Sequence, residues 1–282
     1  MPFFSIIIPT YNSADKIGIA VESLLSQTFT DFEIHIVDGL STDDTMQILR
    51  LYAQKDQRVT FASEEDNGIY DAMNKGIDRA NGQYLYFMGS DDALFSPDVL
   101  QRIWEQASKT NAAVLYGSVK IDGDTGWAKD GDIYAGPFNL HKLIWQNICH
   151  QAIFYNRKVF KKTGYFNTAY RICADWDFNL HCFARFRFQY VDIVVALYFG
   201  GGVSGVKEDT AFMENKLSNI IRYFQNKLFY NDFVQLRAAF RNKIFSKDPA
   251  LNPVVRAKLL VSSVILQLKP RAVQHTTEFQ NP

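Results

Sequence analysis

The sequence has few cysteines and no long apolar run. Its three cysteines, Cys149, Cys173 and Cys182, are odd in number and form no CxxC pair, which argues against a disulfide framework and a structural zinc site. No stretch approaches the roughly 18 apolar residues of a membrane span, and the first residues lack the features of a signal peptide. We therefore expect a reducing, cytoplasmic location.

The sequence also lacks an excess of either charge. The 30 basic residues balance the 30 acidic residues over 282 positions, whereas a dedicated nucleic-acid binder needs a net basic surface. We therefore expect no nucleic-acid partner. The balance hides an asymmetry, because residues 1–212 carry a net charge of −7 and residues 213–282 one of +7. The two parts are expected to have different tasks.

Two phosphate-binding motifs do not follow the first apolar segment. No GxGxxG follows the first apolar segment, and neither GxxxxGKS nor GxxxxGKT occurs. This excludes the dinucleotide fingerprint and the P-loop. If phosphate is bound, a metal ion and helix N-termini must supply most of the interaction.

The first hundred residues repeat a strand followed by a helix. Apolar strand segments end at Pro9, Asp38, about Glu64 and Ser90, so the units are 26 to 29 residues long, as in a βα unit. The clearest helical stripe lies over residues 69–80. This alternation predicts an α/β fold with a doubly wound, mostly parallel sheet.

Residues 111–282 follow a different pattern. Strands are predicted over 113–121, 148–155 and 189–199, with a helix over 175–186. From about residue 207 to 268 the pattern predicts helices only. A boundary near residue 205 therefore separates a first domain from a helical C-terminal extension.

Polar side chains follow directly after the predicted strands, where ligands bind in open α/β sheets. Asp91 and Asp92 offer the carboxylates that Mg²⁺ or Mn²⁺ uses, although an isolated Asp-Asp pair can also simply begin a loop. Asp38 could accept hydrogen bonds from a nucleotide base or form a turn before Gly39. Tyr11 could stack on a base or be a half-buried loop aromatic.

Eight short strings occur in order along the chain. They are SIIIPTYN (5–12), VDG (37–39), STDD (41–44), DNGIYDAMNKG (66–76), SDD (90–92), CHQ (149–151), ADWD (174–177) and GGVS (201–204). This set resembles family 2 glycosyltransferases of the GT-A fold. The match covers about residues 3–100, continues to about residue 205, and is similar to the subgroup of bacterial polysaccharide-assembly transferases.

The resemblance implies a GT-A domain over residues 1–205, with a donor half at about 1–110 and an acceptor half at about 111–205, followed by a basic helical extension over 206–282. It implies an inverting transferase that moves a sugar from a nucleotide-sugar, usually UDP-linked, to an acceptor hydroxyl of a saccharide or lipid-linked saccharide. The implied cofactor is Mn²⁺ or Mg²⁺. The implied setting is bacterial surface polysaccharide or glycolipid assembly.

The roles of the family's site residues carry over to matching positions. The Ser-Asp-Asp string stands for the family's DxD motif, so Asp91 would lie over the ribose and Asp92 would hold the metal ion. Thr10 and Tyr11 would line the base pocket, and Asp38 would bind the edge of the base. The other residues implied in nucleotide-sugar binding are Pro9, Asn12, Asp66, Asp71, Lys75 and Ser90.

Asp175 is implied as the catalytic base, with Ala174 standing where the family more often has Glu. A carboxylate opposite the leaving diphosphate can take the acceptor proton in a single displacement. From its position alone, Asp175 is also explained as an acid in the first turn of a helix, and Asp177 is the fallback. A lone histidine on an aromatic strand is often structural. The candidates for acceptor or phosphate contact are His150, Gln151 and Trp176.

Two other functions stay open. A carbohydrate-binding or scaffold subunit could keep the same fold without turnover. A sugar nucleotidyltransferase also uses carboxylates and Mg²⁺, but it normally has a Gly-rich, Arg/Lys-bearing loop after the first strand, where this chain has PTYN at 9–12.

The C-terminal extension contains a basic amphipathic segment. Residues 254–268 include ten apolar residues of fifteen, interrupted and flanked by Arg and Lys. Such helices lie on anionic membranes, where lipid-linked acceptors are found, or they pack on the first domain or a second subunit. A peripheral membrane contact and a homodimer both stay open.

Overall fold

The computed structural model describes residues 1–123, 125, 128–134, 136–199, 208–229, 231–245, 253–254, 256–257 and 260. The string at 201–204 and most of the basic segment at 254–268 lie outside these residues.

A single mixed sheet of nine strands runs through the described chain. The strands are β1 Phe4–Thr10, β2 Phe32–Asp38, β3 Val59–Ser63, β4 Tyr84–Phe87, β5 Ala93–Leu94, β6 Val114–Asp122, β7 Ile133–Tyr134, β8 Ile153–Asn156 and β9 Phe188–Phe199. Their order is β3-β2-β1-β4-β8-β6-β9-β5, with β7 paired to β6.

Helices cover both faces of this sheet. They are α1 Ile17–Leu25, α2 Thr45–Lys55, α3 Ile69–Arg79, α4 Val99–Lys109, α5 Leu140–Trp145, α6 Lys158–Thr163, α7 Ala174–Phe183, α8 Thr210–Phe224 and α9 Arg237–Phe245. Short 3₁₀ segments lie at His150–Ala152, Gln225–Phe229 and Asn231–Leu236.

The four neighbours β3, β2, β1 and β4 run parallel, as the repeated βα units predict. Beyond β4 the sheet is mixed, because β8 runs antiparallel to both β4 and β6, whereas β9 runs parallel to β6. The predicted α/β fold with a mostly parallel first half is confirmed.

The alternation of side chains along β1 builds two cores. All seven residues of β1 are buried. Ile7 points into the core beneath α3, α7 and α8, whereas Ile6 and Ile8 belong to the core with α1, α2 and α4. Since successive strand residues face opposite sides, an apolar run buried on both faces is the required pattern.

Two element bounds differ from the sequence prediction. The strand predicted over 148–155 begins only at Ile153, because His150–Ala152 forms a 3₁₀ turn before it. The helix predicted over 175–186 runs from Ala174 to Phe183. Helices α5 and α6 were not predicted, since six residues are too few to show a periodic stripe.

Helix α8 packs against the same core as the sheet. Its residues Phe212, Ile220, Ile221 and Phe224 are buried in the core that contains Ile7. The domain boundary near residue 205 stays a prediction. In the part of the chain that the structure describes, no helix is long and apolar enough to cross a membrane.

Candidate active site

A cavity of about 750 Å³ opens at the carboxyl end of β4, between the start of α3 and the start of α7. This is the sheet edge at which the sequence places the site. Seven predicted site residues line it, namely Asp71, Asp91, Asp92, His150, Gln151, Asp175 and Trp176.

Asp92 is the most buried of the paired carboxylates in this cavity. Asp92 is only 3% exposed, and its Oδ2 accepts a hydrogen bond from the Gly89 backbone N–H at 3.1 Å. Burial and the neighbouring Asp91 carboxylate raise the pKa of Asp92 to about 6, whereas His150 and Gln151 act in the opposite direction. The site therefore holds a carboxylate whose negative charge is poorly stabilised by the protein.

The carboxylate pair fits a divalent cation. A Cβ on Gly89 would lie 2.5 Å from Asp92 Oδ2 and 2.9 Å from Asp91 Oδ1, so glycine leaves room for both carboxylates. A cation would stabilise the charge that burial disfavours. Among the described residues, no group of three His, Cys, Asp or Glu side chains forms a metal site. Substrate oxygens would then complete the ligand set, as is common for Mg²⁺.

Asp175 lies in the same cavity as the carboxylate pair. It stands in the first turn of α7 and is 6% exposed. Its Oδ1 accepts a hydrogen bond from the Tyr70 hydroxyl at 2.8 Å, and its Oδ2 accepts one from Asn147 Nδ2 at 2.7 Å. His150 Nδ1 is 3.8 Å from Oδ2. Each carboxylate oxygen of Asp175 thus accepts a hydrogen bond from a different residue.

Asp177, the fallback base, points to another face of α7. Its carboxylate accepts hydrogen bonds from Asn219 Nδ2 at 2.8 Å and from the Tyr223 hydroxyl at 2.9 Å. It lines a separate cavity of about 340 Å³. Burial raises the pKa of Asp177, and the two donors on α8 oppose this shift. The geometry therefore favours Asp175 as the base.

The three candidates for acceptor or phosphate contact all line the cavity. His150 Nε2 is buried and has no hydrogen-bond partner among the described residues. Gln151 adjoins Asp92 and stabilises its ionised form. Lys216 Nζ lies 3.5 Å from the centre of the Trp176 ring, and burial lowers the pKa of Lys216 to about 8.

The residues predicted for the base pocket lie side by side at the ends of β1 and β2. Thr10 pairs with Asp38 in the parallel ladder. Asp38 is fully buried, and its carboxylate accepts hydrogen bonds from the backbone and hydroxyl of Ser41 and, at 2.6 Å, from the Ser63 hydroxyl. Tyr11 is 61% exposed, so its ring is available to a ligand.

Pro9 and Asn12 flank this pair of positions. Pro9 pairs with Val37 at the end of β1. Asn12 has a φ of 47°, in the left-handed region that asparagine tolerates, and its Oδ1 accepts a hydrogen bond from the Thr42 N–H at 2.8 Å. The PTYN string thus ends β1 and begins the bend that follows it, which the Thr42 N–H contact holds.

Asp71 and Lys75 form an ion pair in α3, and Asp66 precedes this helix, where its carboxylate accepts the Gly68 N–H at 2.8 Å. The Asp66 carboxylate lies so close to Gly39 that a Cβ there would be 2.5 Å from Asp66 Oδ2. Asp71 Oδ2 accepts the Asn67 N–H at 2.9 Å and is 3.5 Å from Lys75 Nζ. These two contacts lower the pKa of Asp71, and Lys75 also donates to the Glu65 carbonyl.

Ser90 joins the carboxylate pair to the region of β1. Its Oγ is 2.8 Å from Ser13 Oγ, and Lys16 Nζ is 4.0 Å from Asp91 Oδ2. Eight predicted residues are not among those that line the cavity, and they lie at or after the ends of β1, β2, β3 and β4 or, for Lys75, within α3. These residues are Pro9, Thr10, Tyr11, Asn12, Asp38, Asp66, Lys75 and Ser90.

Several residues that line the cavity were not predicted from the sequence, among them Tyr70, Asn147 and Arg171. Tyr70 lies inside the DNGIYDAMNKG string, so the string was the available signal. Asn147 and Arg171 lie in loops before the CHQ and ADWD strings, and no local pattern marks them.

Comparison with known proteins agrees with this geometry. The model of the glycosyl transferase family 2 matches residues 5–173. A PGL/p-HBAD biosynthesis glycosyltransferase of Mycobacterium bovis (strain BCG / Pasteur 1173P2) is 39% identical over 218 residues, covering 76% of this chain and 83% of that protein. The chondroitin synthase of Escherichia coli is 33% identical over 183 residues, covering 64% of this chain and 26% of that protein.

Solved structures show the same fold. Staphylococcus aureus TarS 1–349 in complex with UDP-GlcNAc has a TM-score of 0.67 at 20% identity and covers 92% of this chain and 79% of its own. The mannosyltransferase PcManGT of Pyrobaculum calidifontis, in complex with GDP-Man and Mn²⁺, has a TM-score of 0.55 at 18% identity and covers 94% and 79%. The family match and the mycobacterial relative together establish that this chain belongs to glycosyl transferase family 2 and is a glycosyltransferase.

Proposed function

We propose that this glycosyltransferase is metal-dependent and inverting, and that it moves a sugar from a UDP-linked donor to an acceptor hydroxyl in glycolipid or surface-polysaccharide assembly. One observation carries the proposal: Asp91, Asp92 and Asp175 line one cavity. Two of these carboxylates suit a cation and its diphosphate. The third is free of that pair and suits proton transfer.

The donor assignment rests on the ends of β1 and β2. Tyr11 offers an exposed aromatic face for a base, and the preceding residue, Thr10, pairs with the buried Asp38. TarS is named as a complex with UDP-GlcNAc and PcManGT as a complex with GDP-Man. These names support a nucleoside-diphosphate sugar, and we take UDP as the first candidate.

The cation would be held by Asp92, with Asp91 beside it. When bound, a divalent ion supplies Lewis-acid stabilisation of the charge that develops on the leaving diphosphate. Mn²⁺ in the PcManGT complex supports Mn²⁺ as the first candidate here and Mg²⁺ as the alternative. The role of the chain itself is to keep two adjacent carboxylates next to a glycine that gives them room.

Asp175 is the proposed base. The acceptor oxygen forms a bond to the anomeric carbon while the bond from that carbon to the diphosphate oxygen breaks. The electron pair leaves with the diphosphate, and the acceptor proton passes to Asp175. Because one displacement occurs, the configuration at the anomeric carbon is inverted.

The acceptor side belongs to residues 111–205 in this proposal and the donor side to residues 1–110. The cavity receives Asp91 and Asp92 from the first segment and Asp175 and His150 from the second, which supports this division. The names of the relatives, PGL/p-HBAD biosynthesis glycosyltransferase and chondroitin synthase, support a glycolipid or polysaccharide acceptor.

The basic extension over 206–282 is proposed to hold the enzyme at the cytoplasmic face of a membrane. The net charge of +7 over residues 213–282 suits anionic lipid. A contact between two copies of the chain is the alternative use of the same residues.

A donor panel tests the proposed reaction. UDP-glucose, UDP-galactose, UDP-GlcNAc, GDP-mannose and dTDP-rhamnose are each incubated with the protein and Mn²⁺ or EDTA, and release of the nucleoside diphosphate is measured. We expect slow hydrolysis of a UDP-sugar that EDTA abolishes. An initial sugar product of inverted configuration, seen by proton NMR before mutarotation, supports a single displacement. Turnover that EDTA leaves unchanged would contradict the proposed metal dependence, and release from GDP-mannose or dTDP-rhamnose but from no UDP-sugar would contradict the proposed donor.

A further inference from the structure

Each oxygen of the Asp175 carboxylate accepts a hydrogen bond from a side chain to which the proposed reaction gives no role. Tyr70 reaches Oδ1 from α3, and Asn147 reaches Oδ2 from the loop after α5. These two donors come from different elements, and Asp175 itself lies on α7. The carboxylate orientation is therefore fixed by tertiary structure rather than by its own helix.

The Tyr70 hydroxyl has two acceptors but only one hydrogen. It lies 2.8 Å from Asp175 Oδ1 and 2.6 Å from the backbone oxygen of Ile172. Burial and the Asp175 charge raise the pKa of Tyr70 well above its ordinary value, so it stays a protonated donor. While Asp175 is ionised, the hydrogen is best placed toward Oδ1, because charge-assisted hydrogen bonds are stronger.

Asn147 is oriented by a chain of hydrogen bonds that begins in the core. The hydroxyl of Tyr155 donates to Asn179 Oδ1 at 2.6 Å, and Asn179 Nδ2 donates to Asn147 Oδ1 at 2.9 Å. This leaves Asn147 Nδ2 pointing at Asp175 Oδ2. If either amide were reversed, two oxygens or two NH₂ groups would meet within the chain. The direction of these hydrogen bonds, which end with Asn147 donating to Asp175, matches an ionised Asp175 carboxylate.

We propose that Tyr70 and Asn147 are positioning residues whose hydrogen bonds hold the ionised Asp175 carboxylate ready to take the acceptor proton, and that the Tyr70 hydroxyl turns to accept a hydrogen bond from Asp175 once that proton has been transferred. This inference rests on the proposed role of Asp175 as the base. Asn147 fixes Oδ2, so the carboxylate plane is set before the acceptor binds. Such pre-orientation reduces the barrier because the base need not reorganise.

The proton step balances within these groups. The acceptor O–H bond breaks and a new O–H bond forms on the Asp175 carboxyl. The negative charge of that carboxylate is lost, so the Tyr70 hydrogen can rotate to the Ile172 carbonyl oxygen, which is already at hydrogen-bond distance. The Tyr70 oxygen can then accept from the protonated carboxyl. Both protonation states of Asp175 keep a complete set of hydrogen bonds.

The experiment compares Tyr70→Phe with Tyr84→Phe. Each change removes one phenolic hydroxyl from a buried ring. The Tyr84 hydroxyl donates to the Ala112 carbonyl oxygen at 3.3 Å and also contacts Asn156, and Tyr84 is not among the residues that line the cavity. With Mn²⁺ and the UDP-sugar turned over fastest, we expect kcat for donor hydrolysis to fall about 10- to 100-fold in Tyr70→Phe, with KM changed less than about twofold. Tyr84→Phe should keep the kcat of the unmodified protein.

Asn147→Asp gives a second, isosteric test. A carboxyl beside Asp175 would share a proton with it, so kcat should fall at least tenfold while Mn²⁺-dependent UDP binding by calorimetry stays within about twofold. A double variant shows whether Tyr70 acts through the base. Tyr70→Phe should cause no further loss in the Asp175→Asn background, since the group it positions is already gone.

The outcomes separate the inference from the proposed function. If Asp175→Asn is inactive but Tyr70→Phe keeps more than half of kcat, the positioning role is wrong and the base assignment stands. Two other results would show that Tyr70 has a purely structural role, and each would overturn the inference. In the first, Tyr70→Phe loses UDP binding as well as kcat. In the second, Tyr70→Phe lowers kcat equally in the Asp175→Asn background. Unchanged turnover in Asp175→Asn overturns the proposed base together with the residues assigned to it.

Discussion

At the residue scale, the buried carboxyl of Asp92 links the stability of the fold to cation binding. Its pKa of about 6 lies above the ordinary value of 3.8 because of burial and the Asp91 charge. The ionised form therefore lowers the free energy of unfolding at pH 7, by up to about 3 kcal/mol at roughly 1.4 kcal/mol per pKa unit. This cost disappears as the pH falls from about 6 to below 4, where the carboxyl is protonated in both the folded and the unfolded state.

Replacing Asp92 with Asn should therefore have opposite effects on stability and on binding. In metal-free buffer at pH 7 we expect Asp92→Asn to unfold at higher urea concentration than the unmodified protein, and the difference should vanish near pH 4. Mn²⁺ with UDP should raise the Tm of the unmodified protein only. Asp31→Asn, an exposed residue at the other end of β2, is the matched control. An Asp92→Asn protein that still responds to Mn²⁺ and UDP would contradict the assignment.

The sequence could predict the carboxylates of the cavity but not Tyr70 and Asn147, the neutral side chains that orient one of them. Asp91 and Asp92 follow a strand, where ligands bind in open α/β sheets, whereas the role of Asp175 was implied only by the family resemblance. Asn147 gains its contact with Asp175 only through the packing of the loop after α5 on α7. The periodicity of the sequence does not indicate such a contact, because the contact depends on tertiary structure.

At the element scale, the close approach of α3 to β1 explains a glycine in the DNGIYDAMNKG string. A Cβ on Gly76 would overlap the Ile7 Cγ2 methyl and would lie 3.2 and 3.3 Å from its Cγ1 and Cβ. Ile7 is fully buried and β-branched, so it has little freedom to move. The glycine lets α3 lie close to the sheet and brings its first turn to the cavity.

Gly76→Ala should consequently destabilise the fold by about 1–3 kcal/mol, the usual cost of overpacking, despite the better helix propensity of alanine. The matched change is Gly18→Ala in α1, where a Cβ would be 3.4 Å from the Tyr52 hydroxyl, an ordinary contact. That variant should be neutral or slightly stabilised. Urea unfolding of both proteins measures the difference, and equal stabilities would show that α3 does not pack as described.

The long, periodic elements could be predicted from the sequence, whereas the short ones could not. The helix over Ile69–Arg79 has the strongest stripe and was predicted to within one residue. Strands β5 and β7 have two residues each, too few to show alternation. The 3₁₀ turn at His150–Ala152 interrupts an apolar run that looks like a longer strand, and composition does not separate the two.

At the scale of the whole molecule, the zero net charge is the sum of an acidic part, residues 1–212, and a basic part, residues 213–282. The acidic part contains the cavity, and the basic part contains α8, which is packed into the core, and the segment at 254–268. Because α8 is part of the core, removing all of residues 206–282 would disturb the fold itself. A test of the membrane contact therefore has to keep the chain whole.

Charge reversal in the full chain provides that test. Arg256→Glu with Lys258→Glu should lower pelleting with phosphatidylglycerol vesicles at least tenfold in apparent affinity, since each basic residue near such a surface contributes about 1 kcal/mol. Lys161→Glu with Lys162→Glu reverses the charge of two exposed residues of α6 and should have little effect. Equal pelleting of both variants and the unmodified protein would favour the contact between copies, which sedimentation would then show.

The general assignment could be made from the sequence because family 2 motifs lie in order along the chain, and the family match confirms it. The donor sugar, the acceptor and the linkage could not be predicted in the same way. They depend on loop side chains around the cavity, such as Arg171, whose positions follow from packing rather than from a motif.

The most direct test of the account is the paired substitution of the two aspartates in α7. Asp175→Asn and Asp177→Asn make the same chemical change two residues apart, one facing the cavity and the other facing α8. Turnover of the UDP-sugar is measured beside Mn²⁺-dependent UDP binding for both. The account predicts that Asp175→Asn binds UDP normally but loses at least a thousandfold in turnover, whereas Asp177→Asn keeps its turnover. Normal turnover by Asp175→Asn would contradict it.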